Sequence, residues 1–333
     1  MRVAVVGCGL MGSRRATVAR QCGSEIVVVA DIDLGRANML AADLDCAATT
    51  DWLAAVTRDD VDAVVVSTTN DSLTPVTAAA LGAGKHVLCE KPLGRDPVEC
   101  CLALDAAKAS GRVLQVGFNH RYHPAVSKAL ERAQHGDLGE LVVLRCRYGH
   151  GGRPGYEREW RADAAVAGGG ELLDQGVHAI DLFCALGGTF DEAMGWVASS
   201  FWTTEVEDNA FALFRAKTGL VASLHVSWTQ WRNLFSLEAF GRDGYLAVDG
   251  LGGSYGPERL TFGRRPVDEG LPIEEFSEFP GPDVSWEAEW KEFVGAVAEG
   301  REPQATGLHA LEAVRMVHAI YQSSRLGAAV ALR

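Results

Sequence analysis

Two short stretches carry residue types that can hold charge and move protons. In the first, His86-Val87-Leu88 reads as a strand that runs into Cys89-Glu90-Lys91-Pro92. A carboxylate and an amine therefore fall at a strand's carboxyl end, where open α/β sheets bind their ligands. Pro92 stiffens the exit, because it fixes its own φ and keeps Lys91 out of the helical region. In the second stretch, Gly168-Gly169-Gly170 leads into a helical pattern from Glu171 to Leu182. Asp174 and His178 are four residues apart, which puts them on one helix face. Leu173, Val177 and Ile180 supply the packing face. A carboxylate beside an imidazole that titrates near neutrality suits general acid–base work. The same spacing also fits a plain surface pair or half of a metal site. No third ligand at motif spacing accompanies it, so no metal is expected.

These residues need elements to hold them. Arg2 to Val6 is an apolar, β-rich run, and Gly7-Cys8-Gly9-Leu10-Met11-Gly12 follows directly, before a helical segment from Ser13 to Gln21. Strand, glycine turn and helix is the context in which G-x-G-x-x-G binds a dinucleotide. Gly7 permits the tight turn, Gly9 lets backbone approach a pyrophosphate, and Gly12 allows close helix packing. The helix N-terminus offers free N–H groups to the phosphates. A second strand, Glu25 to Ala30, ends in Asp31, an acid about 20 residues on that can accept from a ribose diol. Its charge repels a 2′-phosphate, which favours NAD, while the nearby Arg36 keeps NADP open. Asp33, the competing acid, falls in the following loop.

The rhythm continues. Val61 to Ser67 is a third strand with Thr68-Thr69-Asn70 at its carboxyl end, and Pro75 to Gly82 is helical. Val98 to Ala109 is helical as well, and Val113 to Gly117 is a strand that ends in Phe118-Asn119-His120-Arg121. Strands alternating with helices predict a doubly wound parallel sheet. From Gly139 the texture changes. Leu141 to Tyr148, Ala193 to Ser200, Asn209 to Ala216, Gly219 to Trp228, Phe235 to Gly241 and Tyr245 to Asp249 read as successive strands joined by short turns. This pattern predicts an α+β domain with a large open, mainly antiparallel sheet. Trp228, Trp231 and Phe235 either line an oligomer surface on that sheet or pack beneath the domain's own helices. Ser285 to Gly300 and Gly307 to Leu326 are amphipathic helices expected to pack back on the first domain. The predicted division is residues 1–121 for the nucleotide and 122–333 for substrate and oligomerisation.

Composition narrows the function classes. A formal charge of -13 argues against a nucleic-acid surface, since phosphate binding needs clustered Lys and Arg. The eight cysteines form no Cys-x-x-Cys pair, and they read as reduced thiols in a cytoplasmic protein. No apolar run approaches the ~20 residues needed to span a bilayer.

The glycine turn, the run Ala83-Gly84-Lys85-His86-Val87-Leu88-Cys89-Glu90-Lys91-Pro92 and the stretch from Gly168 to Leu182 together resemble the Gfo/Idh/MocA oxidoreductases, and the likeness covers essentially the whole chain. The tail from Ser323 to Val330 looks like that family's last helix and closing strand. The resemblance implies a Rossmann domain followed by an α/β domain whose open sheet makes a homodimer or homotetramer. It implies that Lys91 is the active-site lysine and that Glu90-Lys91-Pro92, commonly with a cis proline, is its motif. Asp174 and His178 match the catalytic aspartate and histidine of inositol-dehydrogenase-like members. Thr69-Asn70 stands where Pro-Asn is usual, and Leu73 replaces a histidine. The implied cofactor contacts are Gly7, Gly9, Leu10, Met11, Gly12, Asp31, Ser67, Thr68, Thr69, Asn70, Glu90, Lys91 and Asn119. The implied substrate contacts are Lys91, Arg121, Tyr148, Trp160, Arg161, Asp174 and His178. The expected activity is hydride transfer between NAD, or NADP, and a hydroxyl-bearing carbon of a sugar, inositol or related polyol. An NADPH-dependent keto-sugar or imine reductase, an NAD-retaining glycosidase and a non-catalytic NAD-binding sensor are the alternatives.

Overall fold

The computed structural model describes residues 1–267 and 270–332. From the N-terminus, β1 (Arg2–Val6), α1 (Leu10–Gln21), β2 (Glu25–Ala30), α2 (Leu34–Leu44), β3 (Ala47–Thr49) and α3 (Trp52–Val56) follow one another. Next come β4 (Ala63–Val66), α4 (Asn70–Gly82), β5 (His86–Cys89), α5 (Pro97–Ser110) and β6 (Leu114–Val116). The six strands are parallel, in the order β3-β2-β1-β4-β5-β6. The order reverses between β1 and β4, which is the switch point where doubly wound sheets bind ligands. Val3 to Val6 and Ala63 to Val66 are buried throughout, as expected of central strands covered on both faces. Asp33, Asp51 and Asp96 cap α2, α3 and α5 by accepting from the N–H groups of Arg36, Ala54 and Glu99.

The chain continues through α6 (Pro124–Gln134), β7 (Leu141–Gly149), α7 (Ala164–Ala167) and α8 (Val177–Gly187). It then runs through β8 (Glu192–Ala198), β9 (Asn209–Arg215), β10 (Val221–Ser227), β11 (Leu234–Gly241) and β12 (Gly244–Asp249). The remaining elements are β13 (Glu258–Arg264), β14 (Ile273–Phe279), α9 (Ser285–Glu299), α10 (Gly307–Leu326) and β15 (Val330–Ala331). Nine strands form one sheet in the order β14-β13-β12-β11-β7-β10-β9-β8-β15. Its pairs are antiparallel apart from β7 with β10.

Two compact units result. One comprises Met1–Phe118, Ala165–Gly168 and Trp286–Leu311; the other comprises Asn119–Ala164, Gly169–Ser285 and the chain from Glu312. Helix α9 thus belongs to the first unit, where Trp290 and Phe293 share a core with Val3, Val5 and Leu88. Most of α10 belongs to the second.

Several local expectations change. Helix α4 begins at Asn70, not Pro75, with Pro75 inside it. The helical pattern from Glu171 is interrupted, because Leu172–Gly176 is π-helical before α8 begins. Strand β14 carries no clear apolar alternation; Ile273 to Phe276 are exposed and include Glu274 and Glu275. Trp228 and Phe235 are buried in their own unit, whereas Trp231 is 64% exposed. Only Trp231 of that trio remains available as surface. Among the described residues no helix is long and apolar enough to cross a membrane, and all eight cysteines are free thiols.

Candidate functional site

The first unit builds a dinucleotide cradle out of close approaches. A Cβ on Gly12 would lie 1.8 Å from the Gly7 carbonyl oxygen, and one on Gly7 would lie 2.3 Å from the Ser67 oxygen. The turn and the end of β4 are therefore pressed together in a way only glycine allows. A Cβ on Gly9 would meet nothing within 4 Å, so that position faces open space at the mouth of α1. No side chain caps α1, and its first turn carries no acid, which leaves N–H groups and a partial positive charge for an anion. Ser67 adds a buried Oγ without a hydrogen-bond partner. Leu10 is exposed and Met11 half-buried beside it. This surface fits the pyrophosphate of a dinucleotide.

Asp31 sits at the end of β2 with both oxygens engaged. Oδ2 accepts from the Cys8 N–H at 2.7 Å and Oδ1 from the Asp33 N–H at 2.9 Å. Arg36 approaches at 3.4 Å. A carboxylate has about four acceptor positions, so Asp31 braces the glycine turn and keeps capacity for a ribose. Thr68 and Thr69 are half-buried, and Thr69 Oγ1 donates to Asp71 at 2.6 Å. Asn70 is buried as the first residue of α4, and its Nδ2 donates to the Ala167 carbonyl at 2.8 Å.

At the end of β5 the Lys91–Pro92 peptide bond is cis. Glu90 does not direct its charge at Lys91. Its Oε1 accepts from Arg15 Nε at 2.6 Å, and Arg15 Nη1 also donates to Glu289 at 2.7 Å. All three side chains are buried or nearly so. Glu90 is thereby tied to α1 and α9, while Lys91 is half-buried beside it.

In the second unit, the π-helical stretch carries Asp174 and the first turns of α8 carry His178. Asp174 Oδ2 accepts from Arg161 Nε at 3.2 Å, and the Arg161 guanidinium also lies over the Trp160 ring, 4.6 Å from its centroid. Burial works against the Arg161 charge, but Asp174, Tyr156 and Glu159 outweigh it and its pKa is raised. His178 is buried and stacks on His120, with centroids 3.9 Å apart. His120 Nε2 lies 3.1 Å from the Tyr148 hydroxyl. Burial, with Tyr255, Glu171 and Asp174 nearby, pushes the Tyr148 phenol well up. Asn119 Nδ2 donates to Ser285 Oγ at 3.1 Å and its Oδ1 faces His120. Arg121 is buried with Nε and Nη2 both on the Asp181 carboxylate, at 2.7 and 2.6 Å. That bidentate pair joins the short helical turn of Arg121 to α8. Gly170 explains the glycine run, since a Cβ there would lie 1.9 Å from the Glu207 carbonyl oxygen.

Sequence reasoning did not single out Arg15 as the partner of Glu90, nor His120 as the partner of His178. Their partners lie 75 and 58 residues away, beyond any local periodicity. Among the described residues no group of three or more His, Cys, Asp or Glu side chains is placed to hold a metal ion.

Comparison with known proteins agrees with this architecture. Residues 1–118 match the family model described as oxidoreductase family, NAD-binding Rossmann fold, and residues 126–247 match the GFO/IDH/MocA C-terminal domain. Inositol 2-dehydrogenase 4 of Saccharopolyspora erythraea is 38% identical over 158 residues, 46% of this chain and 47% of that protein. The aligned stretch thus spans about half the length of that relative. The 1,5-anhydro-D-fructose reductase of Ensifer adhaerens is 31% identical over 74% of this chain and 73% of its own. A levoglucosan dehydrogenase solved in complex with NADH and L-sorbose superposes with a TM-score of 0.92 at 22% identity, covering 100% of this chain and 99% of its own. With both parts of the sequence matched and a relative aligned over most of its length, the chain belongs to the Gfo/Idh/MocA family of oxidoreductases, and its first unit carries that family's NAD-binding Rossmann fold.

Proposed function

We propose that the chain is an NAD-dependent dehydrogenase that moves a hydride between nicotinamide and a hydroxyl-bearing carbon of a sugar, inositol or related polyol. NAD supplies the hydride acceptor. The first unit holds it through the glycine turn and the α1 N-terminus, with Asp31, Ser67, Thr68, Thr69, Asn70 and Glu90 around it. The Asp31 charge, with Arg36 drawn to it and to Asp33, favours NAD over NADP. In the oxidative direction the His178 imidazole takes the hydroxyl proton, becomes imidazolium and returns the proton to solvent after the carbonyl product leaves. Lys91 donates a hydrogen bond to the reacting oxygen and stabilises the negative charge that develops there. Asp174, steadied by Arg161, accepts from a second substrate hydroxyl. Tyr148, Trp160 and Arg161 complete the substrate side.

The observation that carries this reading is the second unit's His178, buried and stacked face to face on His120, in the unit where Asp174 is paired with Arg161. An imidazole there is the residue type suited to exchange a proton near neutral pH. The names of the relatives, an inositol dehydrogenase and an anhydro-sugar reductase, support a cyclic polyol or keto-sugar. We also place the enzyme in the cytoplasm as a homodimer or homotetramer. The exposed Trp196, Phe211 and Leu213 on β8 and β9 support self-association through the open sheet. The test is a screen of inositols and sugars with NAD and NADP, read at the nicotinamide absorbance. Turnover with NAD is expected, and Lys91→Met and His178→Ala should each remove it by orders of magnitude with NADH affinity nearly intact. Wild-type turnover in both variants would sink the assignment.

A further inference from the structure

His120 stands out because so many groups fix its ring. Its Nδ1 lies 3.2 Å from Asn119 Oδ1 and its Nε2 3.1 Å from the Tyr148 hydroxyl. Asn119 is itself fixed, since its Nδ2 donates to Ser285 Oγ, which donates to Asp283 at 2.6 Å. With the amide nitrogen spent on Ser285, the Asn119 oxygen faces the ring. The neutral tautomer with hydrogen on Nδ1 then satisfies both contacts: Nδ1–H donates to Asn119 and Nε2 accepts from Tyr148. Aromatic neighbours pack around it, with Tyr148 at 5.2 Å, His123 at 5.7 Å and Phe235 at 5.8 Å between centroids. His178 lies on the face of the ring at 3.9 Å with an interplanar angle of 26°.

We propose that His120 is a positioning residue for His178: its locked ring sets the plane of the His178 imidazole and lends a π-face to the imidazolium formed during turnover. The proposal rests on His178 being the proton acceptor. A neutral ring stacked on an imidazole tolerates a positive charge on that imidazole, because the π-face is its electron-rich side. A ring free to turn would spend much of its time out of line with the substrate hydroxyl, and small misplacements cost heavily in rate.

The test separates the ring from its hydrogen bonds. His120→Phe keeps a flat face without polar atoms, and His120→Gln keeps polar atoms without a ring. In the NADH-loaded protein, the His178 ring protons are expected to be shifted upfield in wild type and His120→Phe, and to move back in His120→Gln. In turnover with the substrate that the polyol screen identifies, His120→Gln should lose roughly 100-fold in kcat, the size of a positioning loss, with KM and NADH affinity little changed. His120→Phe should recover most of that loss. Unshifted His178 protons in wild type overturn the proposal. So does a His120→Gln enzyme that works like wild type, or a His120→Phe enzyme as impaired as His120→Gln. Wild type silent on every polyol overturns instead the dehydrogenase reading, and with it any catalytic use of the stack.

Discussion

Arg15 Nε donates to Glu90 at 2.6 Å while its Nη1 donates to Glu289 at 2.7 Å, so one buried guanidinium joins α1, the end of β5 and α9. Burial alone would lower the Arg15 pKa, but the two carboxylates more than reverse it and the cation stays charged. The charge at the strand end that carries Lys91 is thereby set from the helix that follows the glycine turn. Arg15→Met strands two buried carboxylates, and breaking such a pair costs about 3–5 kcal/mol. Urea unfolding should show that loss, and adding Glu90→Gln with Glu289→Gln should return much of it. A single variant as stable as wild type would show that the triad holds nothing together.

The glycine turn gives two opposite outcomes from one kind of change. Gly12→Ala drives a methyl into the Gly7 carbonyl, and such overpacking costs about 1–3 kcal/mol or more. Gly9→Ala meets no atom within 4 Å, and Gly9 already has an extended backbone that alanine adopts. It should unfold with wild-type urea dependence yet bind NADH roughly tenfold more weakly, about 1.4 kcal/mol. Calorimetric titration of NADH beside urea curves checks both.

Asp208 predicts a pH dependence. Its side chain is buried, which works against ionisation. The N–H groups of Ser200, Phe201 and Trp202 and the Asn209 amide donate to it and prevail, so its pKa is lowered from the ordinary 3.8. A carboxylate with a depressed native pKa contributes stability that is complete above its unfolded value and is lost as pH falls through the native one. Asp208→Asn should therefore be less stable than wild type at pH 7, by roughly 1–3 kcal/mol for donors left poorly matched. The gap should narrow once pH drops below about 3.8. Urea midpoints of the two proteins across that range decide it.

Trp228 and Trp231 are three residues apart and should behave as different classes of residue. Trp228 is fully buried against Tyr156 and Val206, and its replacement by alanine should cost about 3–5 kcal/mol. Trp231 is mostly exposed, and Trp231→Ala in the monomer should stay within about 0.5 kcal/mol. Thermal unfolding of both variants at low protein concentration reads the contrast.

Much of this protein is written in local sequence. The parallel sheet is legible because its central strands are buried on both faces, which leaves unbroken apolar runs such as Val3 to Val6 and Ala63 to Val66 between helix caps and glycines. The glycine turn, the acid ending β2 and the Glu90-Lys91-Pro92 strand end follow from spacing, since each is a property of one turn. Strand β14 escapes such reading because most of its side chains face water and hydrophobic alternation has nothing to record. The π-helical turn at Leu172–Gly176 escapes it because a single irregular turn is too short to set a period of its own.

Pairings across long separations belonged to the tertiary structure alone. Glu90 could have faced Lys91; packing α1 and α9 beside β5 gave it to Arg15. Nothing near Arg121 in sequence names Asp181; α8 brought that carboxylate to its Nε and Nη2. By sequence His120 could have lined a pocket or served structure alone; the sheet of the second unit set Tyr148 against one nitrogen, and α8 set His178 on its face. Charge and hydrogen-bonding capacity are local properties of a side chain, but the partner that uses them is whichever group the fold brings within about 3 Å.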